Sequence, residues 1–165
     1  MYSIGDCVVY SNNGICRVED IIMMNMQGED KKYYLLIPLR EKLSKIYLPI
    51  DNSTRRIRMA MNKEQAMQLV DSIEKIEEIH IENDKDREAV YRDAYMSNDI
   101  CKVTSVLKVI FRRKVERQKN GKKSTVIDDK YFILLKEQLY GELAYALGVE
   151  KEEVEQGFLQ NMFRE

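Results

Sequence analysis

The chain has 165 residues, 44% of them hydrophobic and 33% charged, which suits one domain or two small ones and excludes wholesale disorder. No apolar run has the length of a membrane span, and Met1–Asp6 has neither the basic nor the apolar stretch of a secretory signal. Cys7, Cys16 and Cys101 are an odd number without zinc-like spacing, which points to reduced thiols in a cytoplasm. The net charge of −1 hides strong patterning: residues 1–60 carry +2, 61–100 carry −6, 101–136 carry +8 and 137–165 carry −5. A +8 segment can attract a polyanion locally, the alternative being a solvated helix surface.

The first sixty residues read as β-structure. Cys7–Tyr10 is a short strand, and Ser11–Gly14 a turn in which Gly14 is free to take positive φ. Ile15–Met26 is a long strand with partial alternation (Ile15, Val18, Ile21, Ile22, Met24). A turn at Gln27–Asp30 leads to Lys31–Pro38, rich in aromatic and branched residues, then to Ser44–Pro49 and a fifth strand over 55–59. Such short strands and tight turns predict a small, bent antiparallel sheet or open barrel.

The remainder reads as helix. Asn62 and Gln65 form a capping-box pattern before a helix running through Met67, Val70, Ile73 and Ile76, which breaks near residues 79–84. A second helix covers Asp86–Met96. A third runs from Asp99 to Lys119 and ends at Asn120-Gly121. Ser124 or Thr125 caps a fourth over Val126–Leu147, with Asp128 in its first turn and Gly148 as its stop; a last helix spans Glu150–Phe163. The expected organisation is α+β: a β domain over residues 1–60 and an all-helical domain over residues 61–165.

On the third helix, Ile100, Val103, Leu107, Ile110 and Phe111 share one face, with Val106 at its margin and Val115 continuing it. Lys108 and Arg112 lie on one flank, Lys102 and Arg113 on the other, followed by Lys114 and Arg117. The turn carries Lys119, Lys122 and Lys123, and Lys130 opens the next helix. These cations suit phosphate contacts, which give affinity without reading base sequence. No recognition-helix, zinc-finger or RNA-stacking signature accompanies them.

Nothing in the sequence assembles a catalytic constellation. His80 is the single histidine, which excludes a multi-histidine metal site and suggests an incidental role. Cys7 and Cys16 can face each other on paired strands, but buried thiols are common. Phosphate-loop, dinucleotide and nucleophile-elbow motifs are missing. The chain is therefore read as a non-enzyme needing no metal, cofactor or disulfide.

The order of several short motifs resembles the CarD-like (CdnL-like) bacterial transcription regulators. Tyr2-Ser3-Ile4-Gly5-Asp6-Cys7-Val8-Val9-Tyr10 followed by Gly14 is similar to that family's opening, and Arg17–Ile21, Gly28-Glu29 and Tyr33–Leu35 continue it. Leu48-Pro49-Ile50-Asp51-Asn52 resembles its Pro-containing strand end. Ser97-Asn98-Asp99, Lys102-Val103, Val106-Leu107, Phe111-Arg112-Arg113 and Gly141–Ala144 track its helical half. The opening alone is shared with the polymerase-binding domain of transcription-repair coupling factors.

The resemblance implies a Tudor-like β domain docking on the RNA polymerase β subunit and a helical domain touching promoter DNA upstream of the melted region, stabilising the open complex. An exposed strand around Lys45–Leu48 would pair edge to edge with the polymerase, with Tyr47 or Tyr33 as anchor and Lys45 or Arg40 as steering charge. The tyrosines packing inside the barrel is the competing reading. DNA contact falls to Arg87, Lys108, Arg112, Arg113, Lys114, Arg117, Lys119, Lys122, Lys123 and Lys130. Several family members wedge a tryptophan into the minor groove; this chain has none, Asp84 stands at the aligned position, and the wedge is not carried over. The expected protein is a cytoplasmic, nucleoid-associated monomer with no membrane contact. The alternative is a polymerase- or protein-binding adaptor without productive DNA contact.

Overall fold

Strand β1 (Cys7–Tyr10) opens a five-stranded antiparallel sheet with β2 (Ile15–Met26), β3 (Glu29–Pro38), β4 (Ile46–Pro49) and β5 (Ile57–Met59) in the order β4-β3-β2-β1-β5. The computed structural model describes residues 1–26, 28–51 and 56–157, apart from the side chain of Asn12. Gln27, Arg55, Asn52 and the 158–163 portion of the expected last helix lie outside those residues. The chain divides into two compact units, one of residues 1–60 and one beginning at Met61.

In the sheet unit, Gly14 closes the β1–β2 turn at φ +69°, a left-handed conformation that a side chain would strain. Val8, Cys16, Val18, Tyr34, Leu36, Leu48 and Ile57 form the core. Cross-strand pairs bring them together: Val8 opposite Cys16, Val18 opposite Leu36, Tyr34 opposite Leu48. Between Val18 and Asp20 the register shifts by one residue against β3. This bulge moves the inward positions of β2 from even to odd numbers, so Ile21, opposite Tyr34, joins Val18 on the core face. The imperfect alternation of Ile15–Met26 is the sequence trace of that shift. Cys7 pairs with Arg17 and Val8 with Cys16, so the two cysteines sit on opposite faces of the sheet rather than facing each other. All three cysteines are free thiols, and burial pushes the Cys16 thiol up to about 12.

The helical unit contains α1 (Lys63–Ser72), α2 (Arg87–Met96), α3 (Ile100–Lys119), α4 (Val126–Leu147) and α5 (Lys151–Gly157). The capping box of α1 is present: Asn62 Oδ1 accepts the Gln65 N–H at 2.9 Å and Gln65 Oε1 accepts the Asn62 N–H at 3.0 Å. Its buried face is Ala66, Leu69 and, one turn on, Ile73; Met67, expected on that face, is exposed. The helix gives way at residue 73 to a 3-10 turn over Ile73–Lys75, and Ile76 follows in extended conformation.

Asp99 caps α3 by accepting the N–H groups of Cys101 and Lys102. Its core stripe holds Val103, Val106, Leu107 and Ile110, so Val106 lies in the middle of the stripe and not at its margin. The helix ends with Gly121 at φ +69°, its N–H on the Gln118 carbonyl and that of Lys122 on the Arg117 carbonyl. Thr125 caps α4, which stops at the left-handed Gly148. Leu135, Leu139 and Leu143 of α4 complete the core with Tyr91, Tyr131 and Val154. The fold class is thus an antiparallel sheet unit followed by an all-helical unit.

Candidate protein and nucleic-acid interfaces

β4 is an outer strand of the sheet, paired only with β3 among the described residues. Its other edge is a row of backbone groups available to an added strand. Tyr47 is 45% exposed there, and Lys45 and Arg40 are exposed nearby. Tyr33 is different. It lies opposite Pro49 and is 7% exposed, which fits the competing reading of a tyrosine packed inside the sheet unit. Three of the four residues assigned to a polymerase contact are therefore exposed, and the fourth is packing.

Basic side chains on both flanks of α3 are engaged within the helical unit. Lys108 is 8% exposed; its Nζ donates to the carbonyls of Glu74 at 3.1 Å and Ile76 at 3.0 Å. Burial lowers its pKa against the opposing pull of Glu78 and Glu74. Ser105 Oγ donates to the Glu77 carbonyl at 2.7 Å and Arg112 pairs with Glu78 at 2.7 Å. Ser105, Lys108 and Arg112, at helical spacing, thus fasten the irregular segment after α1 along one flank of α3.

The opposite flank faces α2 and α4. Arg113 Nε donates to Asp128 Oδ2 at 3.0 Å, while Tyr91 Oη donates to Asp128 Oδ1 at 3.0 Å. Asp128 lies in the first turn of α4, as expected, and at 1% exposure it is also a buried acceptor joining α2, α3 and α4. Burial pushes the Tyr91 hydroxyl up to about 12, which keeps it a donor. Arg113 Nη1 also reaches Asp84 Oδ1 at 3.0 Å, and Arg87 Nε reaches the same oxygen at 2.6 Å. Lys102 pairs with Asp93, and Lys114 pairs with Asp129 while its Nζ sits 5.0 Å above the Phe132 ring. The −6 and +8 segments therefore neutralise each other through Arg112–Glu78, Arg113–Asp84 and Lys102–Asp93.

Of the residues assigned to DNA from the sequence, Lys108 has internal acceptors for its ammonium and Arg113 has one for its Nε end. Arg117 Nε donates to the Lys123 carbonyl at 2.9 Å and braces the α3–α4 turn. What remains on the surface is Arg112, Lys119, Lys122, Lys123 and Lys130, the last with its Nζ 5.0 Å from the Tyr131 ring. Val126, 84% exposed, adjoins this group at the start of α4.

Comparison with known families finds a match for the sheet unit. Residues 2–61 match the CarD-like/TRCF RID domain. A search of curated proteins finds no match. The RID match covers the whole sheet and stops at Met61, where the helical unit begins. No group of three or more His, Cys, Asp or Glu among the described residues is placed to hold a metal ion, and no described helix is long and apolar enough to cross a membrane.

Sequence reasoning missed the Asp128 hub and the fastening role of Lys108. A signal for the hub was present: Asp128 and Tyr131 lie three apart on α4, so a face carrying buried Tyr131 also carries the carboxylate.

Proposed function

We propose that this protein is a transcription regulator that docks on the RNA polymerase β subunit through its RID-like sheet and holds promoter DNA through its helical unit, stabilising the open complex at initiation. The observation that carries the reading is the RID match over the whole sheet, together with an outer β4 strand presenting Tyr47 and Lys45. Backbone pairing along β4 supplies affinity, Tyr47 a desolvated anchor and Lys45 and Arg40 a steering field. The DNA contact contracts to Arg112, Lys119, Lys122, Lys123 and Lys130, which bind phosphates without reading bases.

The α3–α4 turn suits that task because its backbone is fixed by the Gly121 and Lys122 hydrogen bonds and by Arg117. Tethering to polymerase raises the local DNA concentration to roughly millimolar, so a few weak phosphate contacts suffice.

A footprint of a polymerase–promoter open complex, with and without the protein, tests both halves. The expected result is added protection upstream of the melted region and a longer complex lifetime. Lys122→Ala with Lys123→Ala should shorten that lifetime while polymerase binding persists, and Tyr47→Ala with Lys45→Glu should remove polymerase binding. Binding to polymerase with no effect on lifetime would favour an adaptor, a reading supported by the carboxylates that already neutralise much of α3.

A further inference from the structure

Two guanidinium groups converge on one carboxylate oxygen of the exposed Asp84, just before α2. Asp84 Oδ1 accepts from Arg87 Nε at 2.6 Å and from Arg113 Nη1 at 3.0 Å. The arginine side chains are 18% and 20% exposed, whereas that of Asp84 is 68% exposed. The cations are thus set into the protein and the anion lies on top of them.

Arg113 is aimed by the fold. Its Nε is occupied by Asp128, a carboxylate that is itself buried and held from the other side by Tyr91. With that end fixed, the planar guanidinium presents its Nη edge outward, a pre-organised fork of the kind that grips planar or tetrahedral oxyanions. Within this cluster Asp128 balances one arginine and Asp84 the other, so taking Asp84 away leaves one positive charge facing solvent. A phosphodiester supplies the same single negative charge and the same kind of acceptor oxygen.

We propose that Arg87 and Arg113 form a phosphate clamp for the nucleic-acid backbone, held shut by Asp84, whose carboxylate occupies the place of a phosphate oxygen. This rests on the DNA reading above and adds its regulation: the α2 end of the helical unit is a DNA contact that the chain itself blocks, leaving the lysine turn as the open one. The Arg87 hydrogen bond, and then the Arg113 charge, hold the Asp84 carboxyl below its ordinary range, so the plug stays ionised at neutral pH. Glu88, one residue on from Arg87, is ion-paired to Arg92 at 3.4 Å. Asp86 is exposed beside the clamp and keeps the gain from opening it modest.

The test measures binding of a short fluorescent duplex DNA at low salt by the full chain, its Asp84→Asn and Asp84→Ala variants, and Asp84→Asn combined with Arg87→Gln. Either Asp84 variant should tighten binding by about 3- to 10-fold and steepen the salt dependence by about one phosphate contact. The combined variant should lose that gain. The Arg87 and Arg113 Nε–H signals in nitrogen-edited NMR should move on adding DNA to the Asp84 variants and stay still in the unaltered chain.

An unchanged affinity in both Asp84 variants, or a gain that survives Arg87→Gln, overturns the clamp, because the effect would then be absent or independent of the arginine. Arginine signals that stay still when DNA tightens on the Asp84 variants overturn it too, because the gain would then be merely net charge. Inorganic phosphate is the second probe. Arginine signals that move with phosphate but not with DNA, in a protein whose DNA binding also ignores Lys122→Ala with Lys123→Ala, leave an anion site at Arg87 and Arg113 but overturn both its assignment to nucleic acid and the DNA reading. DNA binding that depends on those lysines but not on Asp84 does the reverse.

Discussion

In the sheet unit, Arg17–Glu19 and Lys31–Glu29 join exposed side chains two residues apart on β2 and β3, and the core beneath is mostly apolar, with the Cys16 thiol and the Tyr34 hydroxyl as its polar groups. In the helical unit, ion pairs span long stretches of chain: Arg112 to Glu78, Arg113 to Asp84 and Asp128. The sheet is positioned by cross-strand apolar pairs, which salt hardly touches. The helices also share an apolar core, but the packing of α3 against its neighbours is written in charge as well. Opposite blocks in a sequence can therefore be an internal fastening rather than a sign of an outside partner, and the surface left for a polyanion is much smaller than the +8 segment suggests.

The sharpest way to break this comparison is at Asp128. Asp128→Ala leaves Arg113 without its buried partner and the Tyr91 hydroxyl without its acceptor. The expected loss is about 3–5 kcal/mol of helical-unit stability, since removing one partner strands the other charge. Hydrogen exchange read separately in the two units checks it, with protection falling in α2, α3 and α4 and holding in the sheet. The counterpart in the sheet is Leu36→Ala, which empties a fully buried position opposite Val18 and should cost about 2–5 kcal/mol. Its effect should be the same in low and high salt, measured by denaturant unfolding.

Asn62→Ala is milder. It removes the side-chain acceptor for the Gln65 N–H and should lower helical-unit stability by about 1 kcal/mol, seen as a shifted unfolding midpoint with an unchanged slope.

That cap was legible in the sequence because a helix start depends on residues three apart, and so were Gly121 and Gly148 as helix stops. The sheet and its turns were legible for the same reason, strand periodicity and glycine being local signals. What lay beyond reach was set by distant partners. Lys108 follows Leu107 at the border of the apolar stripe, and only the segment 74–78, some thirty residues earlier, decides that it is covered. Arg113 looks like any other cation of its run until Asp128 and Asp84 are seen on either side of it. Which of Tyr33 and Tyr34 faces the core is visible once β4 and the bulge at residue 19 fix the register.

The smallest effect is expected at Arg112 and Glu78, and it sharpens the comparison most directly. Arg112 is 74% exposed, so water and salt screen its charge and the pair should contribute only about 0.2–1 kcal/mol in a double-mutant cycle. Raising salt to about 1 M, where the Debye length falls to about 3 Å, should weaken that coupling, while Leu36→Ala keeps its full cost. Acid should act in the same direction by another route. Asp84 and Asp129 are held below the ordinary carboxylate range, Asp84 by Arg87 and Arg113 and Asp129 by Lys114. A carboxyl whose folded pKa is depressed adds stability that is present above its unfolded pKa and lost as pH falls through the folded one. The helical unit, with two such carboxyls, should therefore lose more stability below about pH 4, where unfolded Asp begins to protonate, than the sheet, where Glu29 is held low by Lys31. A sheet that melts first on acidification, or an Arg112–Glu78 coupling that survives high salt, would show that charge does not divide the two units in this way.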